Sequence, residues 1–295
     1  TSGELDVMPV MDVYDVIKLQ GGITQDSDGG IHIRGGRTSE VVYMVDGVSM
    51  TDSYDGGLSV SIENNTIQEL QVISGTFNAE YGRAMSGIIN MVTKDGSNEF
   101  EGSLKTFAGD HISQDPIYRN LDSYDPLNHR NIEAQFSGPI IKDRLTFFIS
   151  GRTYNSNGWL SGINTFNMYG DTLDVIEYRP MNWTDKWSLQ SKLTYIFSPK
   201  TKIKLKSITN QEDGQGYDHY RQLTQEGRSS QYDKGNFIGL NFSHAFSSRA
   251  FIKFNLSEHT KQYESYLFEN PYDARYKTPD SLYNAHIVGT LPDWA

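Results

Sequence analysis

Residues 31–96 read IHIRGGRTSEVVYMVDGVSMTDSYDGGLSVSIENNTIQELQVISGTFNAEYGRAMSGIINMVTKDG, and this stretch decides what kind of domain the chain contains first. Its β-forming residues fall into four runs, separated by turns that contain glycine, at residues 31–34, 41–45, 67–74 and 87–93. The pair Asp46-Gly47 is a strong hairpin signal, because both residue types tolerate a positive φ. The stretch therefore predicts a small sheet with tight connections.

A short amphipathic helix is predicted just before this stretch. Residues 11–19 place Val13, Val16 and Ile17 on one helical face, which would cover the sheet. Residues 1–9 are polar, and we expect a flexible N-terminal segment there. Residues 20–30 read as a loop. Together these patterns predict a small mixed α/β domain over residues 10–98.

After residue 98, apolar and polar residues alternate with a period of two, which is typical of strands with two different faces. Each alternating segment has about 10 residues, the length that a tilted strand needs to cross a bilayer. The predicted strands are residues 100–109, 131–138, 144–155, 186–197, 201–209, 236–246 and 249–257.

The connections between these strands alternate between short and long. The turns near Asp143, Pro199 and Ser247 are tight, whereas the links 110–130, 156–185 and 210–235 are long and polar. Short turns on one side and long loops on the other are typical of a transmembrane β-barrel. An odd number of strands does not close such a barrel, so we expect residues 99–295 to form its first seven strands and the start of an outer loop. A soluble β-sandwich is the alternative reading of the same alternation.

Composition excludes several other classes of protein. The net charge is −11, and the first 98 residues hold 14 acidic against 5 basic residues. No basic surface is therefore predicted that could bind a nucleic acid. The chain contains no cysteine, which excludes disulfides and thiolate zinc sites. It also has no run of about 18 apolar residues that would predict a transmembrane helix.

Four blocks of the first domain resemble the TonB-dependent receptors of Gram-negative outer membranes. They occur in the family's order and spacing. The blocks are residues 32–35 (HIRG, similar to the family's IRG), 43–48 (YMVDGV, similar to L-[IV]-DGV), 67–72 (IQELQV, similar to I-E-x-I-E-V) and 80–94 (EYGRAMSGIINMVTK, similar to YG-x-x-A-x-G-G-[VI]-[IV]-N-[IV]-[IV]-T-K). The turn-rich first domain looks closest to the Oar-like branch, and the SusC-like importers are the neighbouring branch.

This resemblance implies a plug domain that fills a barrel of about 22 strands, so that the chain would hold the plug and an incomplete part of the barrel in the outer membrane. The implied partners are outer-membrane lipid, the periplasmic protein TonB with ExbB and ExbD, and a substrate that could be a peptide, a glycan or a metal chelate. A surface lipoprotein lid is a further candidate partner. No cofactor is implied.

The resemblance also suggests roles for single residues. Arg34 and Arg83 match plug arginines that face glutamates of the barrel wall, although each could instead cap loop carbonyls within the plug. Substrate would be met by two apical loops, where solvated acidic loops are the alternative. The loop candidates are Gln25, Asp26, Asp28, Asp52, Tyr54 and Asp55, and the residues expected to shape the plug backbone are Gly35, Asp46, Gly47, Glu80, Tyr81, Gly82, Gly87 and Asn90.

Three functions remain open at this point. The first is a TonB-dependent receptor or transporter. The second is an outer-membrane barrel for adhesion or secretion with a permanent plug. The third is a soluble binding module or an enzyme, but neither a metal-binding spacing of histidines nor a catalytic constellation is readable, so we do not expect an enzyme.

Overall fold

The computed structural model describes residues 13–26, 29–75, 84–169 and 171–276. Within these ranges the chain is mostly β-strand. The elements are helix α1 (Val13–Lys18), strands β1 (Ile23–Gln25), β2 (Ile31–Ile33), β3 (Val41–Val45), β4 (Val48–Ser49), β5 (Ile67–Ser74), β6 (Gly87–Thr93), β7 (Glu101–Gly109), β8 (His129–Ile141), β9 (Leu145–Ser156), β10 (Ser161–Phe166), β11 (Thr172–Pro180), β12 (Thr184–Ser198), β13 (Thr201–Gly214), β14 (Ser230–Ala245) and β15 (Phe251–Tyr266), and the 3-10 turns Thr38–Glu40, Asn64–Thr66, His219–Arg221 and Gln225–Gly227.

The N-terminal domain contains a four-stranded mixed sheet in the order β4-β3-β6-β5. Strand β3 runs parallel to β6, and the other two pairings are antiparallel. Val13, Val16 and Ile17 of α1 are buried, as the helical periodicity predicts. The expected small α/β domain is confirmed.

One loop prediction in this domain was wrong. Residues 23–25, predicted as part of a loop, form β1 and pair with β2, with Ile23 opposite Ile33. A strand of three residues with a single buried side chain leaves no periodic pattern in the sequence.

The core of the N-terminal domain extends into the second part of the chain. Its buried residues include Tyr43, Val45 and Met91, and the same cluster contains Ile208 of β13 and Phe237 of β14. The two parts therefore share one apolar core in addition to the polar contacts described below.

The second part is a seven-stranded antiparallel sheet in the order β15-β14-β13-β12-β9-β8-β7. Each of the seven predicted segments forms one strand of this sheet, and each strand pairs with the neighbouring segment in the chain. That they are the first seven strands of a barrel stays a prediction. Several strands are longer than predicted at the end next to a long connection. For example, β13 continues to Gly214 and β15 to Tyr266. These extensions are polar, and backbone pairing with the neighbouring strands holds them in place, not the burial of an apolar face.

The two faces of this sheet have opposite character. On β12 the side chains of Lys186, Gln190 and Lys192 are buried against the N-terminal domain, whereas Leu189 and Leu193 point away from it with 45% and 39% of their surface exposed. A soluble sandwich buries its apolar face, so this arrangement is the reverse of that alternative. It is the arrangement of a barrel wall with an apolar exterior.

The long connection between β9 and β12 was predicted as a loop, but it contains the hairpin β10–β11. This hairpin is followed by Met181, which is fully buried. Backbone hydrogen bonds join it to the connection after β13, from Ile163 N to Gln222 O at 2.9 Å and from Thr165 N to Leu223 O at 3.1 Å. The hairpin was not predicted because it is held by contacts with a second long connection, and such contacts leave no pattern in the sequence of either connection.

None of the helices in the described ranges is both long and apolar enough to span a bilayer.

Candidate functional site

The polar face of the seven-stranded sheet meets the N-terminal domain through three groups of ion pairs. We name them after one acidic residue each: the Asp46 cluster (Asp46, Asp95, Lys192, Lys204, Lys206), the Glu63 cluster (Glu63, Arg152, Lys186) and the Asp55 cluster (Asp52, Asp55, Lys261). Together they are the main polar contacts between the two parts of the chain.

The Asp46 cluster begins at the tight turn between β3 and β4. Asp46 and Gly47 both have a positive φ, 51° and 82°, as a two-residue hairpin of the I′ type requires. The hairpin that the sequence predicts is therefore present, and the turn points the Asp46 carboxylate toward the sheet.

Asp46 is held by four groups. Its carboxylate lies 2.9 Å from Lys206 Nζ and 3.3 Å from Lys192 Nζ. It also accepts hydrogen bonds from Thr93 N at 2.9 Å and from Thr93 Oγ1 at 2.6 Å. Burial alone would raise the pKa of Asp46, but the two lysines and the threonine lower it to about 2. The carboxylate is therefore charged at any physiological pH.

Lys192 links this carboxylate to a second one. Its ammonium group lies 3.0 Å from Asp95 and donates to Thr93 O at 2.8 Å, and only 1% of its side chain is exposed. Asp95 also pairs with Lys204. Burial would raise the pKa of Asp95, but Lys192 and Lys204 lower it below its ordinary value. Three lysines of the sheet thus share two carboxylates of the N-terminal domain.

The Glu63 cluster is the most buried of the three. The Glu63 carboxylate accepts a hydrogen bond from Arg152 Nη1 at 2.6 Å and lies 3.3 Å from Lys186 Nζ. All three side chains are less than 10% exposed. Arg152 is oriented by Asn131, whose Oδ1 accepts from Arg152 Nε at 2.7 Å. Burial would raise the pKa of Glu63, but Lys186 and Arg152 lower it.

The Asp55 cluster lies under the predicted apical loop 49–59. Lys261 of β15 pairs with Asp55 at 2.8 Å and with Asp52 at 3.3 Å. Burial would raise the pKa of Asp55, but its hydrogen bond with Lys261 lowers it. Tyr54, between the two acids, is 97% exposed. Of the predicted substrate-facing residues in this loop, two therefore also anchor it to the sheet.

The second predicted apical loop is held together internally. Asp26 accepts from Gly30 N at 2.7 Å and from His32 Nε2 at 2.9 Å. The bond with Asp26 and a second one with Gly36 O raise the pKa of His32 above its ordinary value. Gln25 Nε2 donates to Gly29 O at 3.0 Å. Asp28 lies outside the described residues.

The ion pairs run opposite to the predicted lock. The prediction paired plug arginines with glutamates of the wall. In every ion pair that joins described residues of the two parts, the acid belongs to the N-terminal domain and the base to the sheet. Arg34 is exposed and occupies a left-handed turn with Gly35, at φ 51° and 78°. Its role in a lock stays a prediction.

Of the remaining predicted positions, the structure describes Gly87 and Asn90. Gly87 is buried, and a Cβ there would lie 2.5 Å from Ile33 Cδ1, so close packing requires glycine. Asn90 on β6 is partly buried next to the Asp46 cluster. Arg83, Glu80, Tyr81 and Gly82 lie outside the described residues, as does the predicted N-terminal segment 1–9.

Sequence reasoning missed the basic partners, although two signals for them exist. The first 98 residues carry a large acidic excess, and Lys202, Lys204 and Lys206 occupy alternate positions of one strand, which places them on one face. An acidic domain next to a strand with a basic face is a reason to expect this interface.

The comparisons with known proteins agree with this geometry. The family model for the TonB-dependent Receptor Plug Domain matches residues 1–88. The chain is 33% identical over 131 residues to the TonB-dependent transporter Oar of Myxococcus xanthus, covering 42% of this chain and 12% of that protein. It is 34% identical over 109 residues to the vitamin B12 transporter BtuB of Vibrio vulnificus, covering 34% of this chain and 18% of that one. The chain thus spans less than a fifth of these relatives.

Solved structures with a similar fold cover nearly all of the chain. The siderophore receptor PirA from Pseudomonas aeruginosa superposes with a TM-score of 0.63 at 16% identity, covering 90% of this chain and 40% of that one. The alcaligin outer-membrane receptor FauA from Bordetella pertussis gives 0.63 at 14% identity, covering 89% and 38%. Residues 1–88 therefore match the model of a TonB-dependent receptor plug domain, and the chain as a whole has the fold of the corresponding part of these solved receptors.

Proposed function

We propose that this chain acts as part of a TonB-dependent outer-membrane transporter, in which the plug opens when TonB transmits energy to it. The observation that carries the proposal is the seating of an acidic plug on the basic, lumen-facing side of an apolar-faced wall. The names of the relatives, a TonB-dependent transporter and a vitamin B12 transporter, support it.

The ion pairs support the need for an external source of energy. Breaking a buried pair while leaving one charge behind costs about 3 to 5 kcal/mol. Glu63 and Asp46 each contact two basic groups that are less than 10% exposed. Spontaneous displacement of such a plug would be rare, whereas a pull on it could break the contacts one after another.

Substrate would meet the plug at its apical loops, through Gln25, Asp26, Asp28, Asp52, Tyr54 and Asp55. Tyr54 supports this assignment, because a fully exposed tyrosine between two anchored acids is available for stacking. We propose a substrate among the metal chelates, peptides and glycans, with the outer membrane of a Gram-negative bacterium as its location.

Cysteine labelling in cells can test the energy coupling without knowing the substrate. The chain has no native cysteine. Ser150 of the wall is 4% exposed and faces Asn65 of the plug, with 3.5 Å between Oγ and Nδ2. In the full-length protein, with any cysteine outside these 295 residues replaced, we expect Ser150→Cys to react with a polar maleimide only when TonB is present. This reactivity should be lost when an uncoupler collapses the proton gradient.

Two variants complete the experiment. Tyr54→Cys, which is exposed, should be labelled under all conditions and serves as the control. The pair Asn65→Cys and Ser150→Cys, joined by a short thiol cross-linker, should hold the plug and block TonB-dependent opening. Equal labelling of Ser150→Cys with and without TonB would contradict the proposal and favour a permanent plug.

A further inference from the structure

A cavity of about 580 Å³ lies between the Asp46-Gly47 turn of the plug and strands β13 to β15 of the wall. Four lysines line it, Lys202, Lys204, Lys206 and Lys253, against Asp46 as the acidic lining residue. This local excess of positive charge stands out in a chain whose net charge is −11.

Two of the four lysines already form ion pairs with acidic residues of the plug. Lys206 pairs with Asp46 and Lys204 with Asp95, and Lys192 behind them contacts both acids. Lys202 and Lys253 are exposed at this cavity, and within the described residues neither has an acidic group within 4 Å. The two nearby carboxylates are therefore already shared among three lysines.

The register of the strands brings these two lysines together, and Lys253 Nζ lies 5.5 Å from the centroid of the Phe251 ring. Lys202 pairs with Ser243 on β14, and Ser243 pairs with Lys253 on β15. The three side chains thus form one row on the plug-facing side, with the lysines two strand spacings, about 10 Å, apart at their Cα atoms. Two long flexible side chains at that spacing can converge on one group between them.

Neutral donors complete the site. Asn241 and Asn255 line the same cavity, and Asn241 Nδ2 donates to Asn255 Oδ1 at 2.6 Å. Within the described residues, Oδ1 of Asn241 and Oδ1 of Asn90 are buried without a hydrogen-bond partner. Rotating the Asn90 amide would present its NH₂ group instead, whereas the NH₂ group of Asn241 already donates to Asn255. Hydroxyl, amide and ammonium donors around one space are the chemistry that binds an oxyanion.

We propose that this cavity binds the carboxylate or phosphate group of a small solute. The lysine and asparagine side chains of the wall that line the cavity face the plug, whereas Ile203 and Leu205, which alternate with the lysines, point to the other face. A lipid headgroup would approach from that other face, so a free anion is the ligand that the geometry favours. The proposal goes beyond the transport function, because it concerns binding between plug and wall and not energy coupling.

Isothermal titration of the full-length protein in a neutral detergent, with inorganic phosphate and separately with succinate, tests the proposal. We expect saturable binding of at least one of them, which weakens as salt is added. Lys202→Gln combined with Lys253→Gln should weaken it at least about ten-fold, since each removes a charge-assisted hydrogen bond. Both positions are exposed, so the fold should tolerate the change.

Lys200→Gln is the matched control, because Lys200 is exposed in the turn before β13 and does not line the cavity. It should bind like the wild type. Micelles that contain phosphatidylglycerol should not displace the bound anion, and displacement would identify a lipid site instead and overturn the proposal. Wild-type protein that binds neither anion, or a double variant that binds as well as the wild type, would also overturn it. No arm requires TonB, so the result is independent of transport.

Discussion

Asp46 combines two roles that its position in a tight turn makes compatible. Its backbone adopts the left-handed conformation of the hairpin, and its side chain anchors the plug to Lys192 and Lys206. Asparagine also tolerates a positive φ. The variant Asp46→Asn therefore separates the charge from the conformation.

We expect Asp46→Asn to reduce the free energy of plug opening at neutral pH by about 2 to 3 kcal/mol, because two buried lysines lose a shared partner. Hydrogen exchange of the Thr93 amide, which donates to Asp46, is the measurement. Asp174→Asn, at an exposed position of β11, is the control and should leave this exchange unchanged.

The pH dependence of the same contact follows from the sign of the shift. The pKa of Asp46 is lowered from 3.8 to about 2 in the folded protein. The stabilisation that the charged Asp46 carboxylate gives to the docked plug is therefore complete above about pH 4, and it is lost as the pH falls toward 2. The difference in Thr93 exchange between wild type and Asp46→Asn should narrow over this range, and a constant difference would contradict the assignment.

At the scale of single residues, sequence reasoning recovered backbone roles better than charge partners. Asp46, Gly47 and Gly87 were predicted because turn chemistry and close packing are local properties. The lysines that pair with Asp46 lie about 150 residues further along the chain, and the pairing depends on how plug and wall are placed. That placement is not encoded in any local pattern.

At the scale of elements, the β3–β4 hairpin depends on the conformation of Gly47. Its φ is 82°, and an added Cβ would have no atom within 4 Å, so strain from the backbone is the only cost of a side chain. We expect Gly47→Ala to destabilise the plug by about 1 to 2 kcal/mol, as measured by hydrogen exchange of β3 and β6. Gly47→Asn should recover part of this loss.

Gly109→Ala is the matched control for Gly47→Ala. Gly109 also has open space around an added Cβ, but its φ is not left-handed. The same substitution there should leave plug exchange unchanged. Equal effects at both glycines would show that the hairpin conformation is not the cause.

The β10–β11 hairpin depends on close packing instead. A Cβ on Gly162 would collide with Gln225 and lie 2.6 Å from Met181 Sδ. We expect Gly162→Val to release the hairpin and to increase chymotryptic cleavage after Tyr178 on intact cells several-fold. Gly216→Val is the control, because no atom lies within 4 Å of an added Cβ at this neighbouring loop position. Cleavage that is unchanged in Gly162→Val would contradict the docked arrangement.

At the scale of the whole molecule, the prediction of a barrel wall rests on which side of the sheet is apolar. Leu193 points away from the plug in the middle of β12. We expect Leu193→Arg to reduce assembly into the outer membrane, because a charge on the lipid face of a barrel costs about 2 to 4 kcal/mol near the midplane. The fraction of heat-modifiable protein in purified outer membranes measures this, and Leu193→Phe should assemble normally.

The architecture of the wall was predictable because alternation over seven segments is a repeated signal. The β10–β11 hairpin and the polar extensions of β13 and β15 were not predictable, because pairing with neighbouring strands holds them without an apolar face. The clusters around Asp46, Glu63 and Asp55 needed the assembled structure as well. Each of them joins residues that are more than 85 positions apart.

The uniform polarity of the contacts between plug and wall has a consequence for synthesis. Two acidic plugs repel each other, whereas each plug attracts the lysine-bearing strands that follow it in its own chain. When several copies of the chain are close together before they assemble, this bias favours docking of a plug on its own strands over exchange of plugs between neighbours.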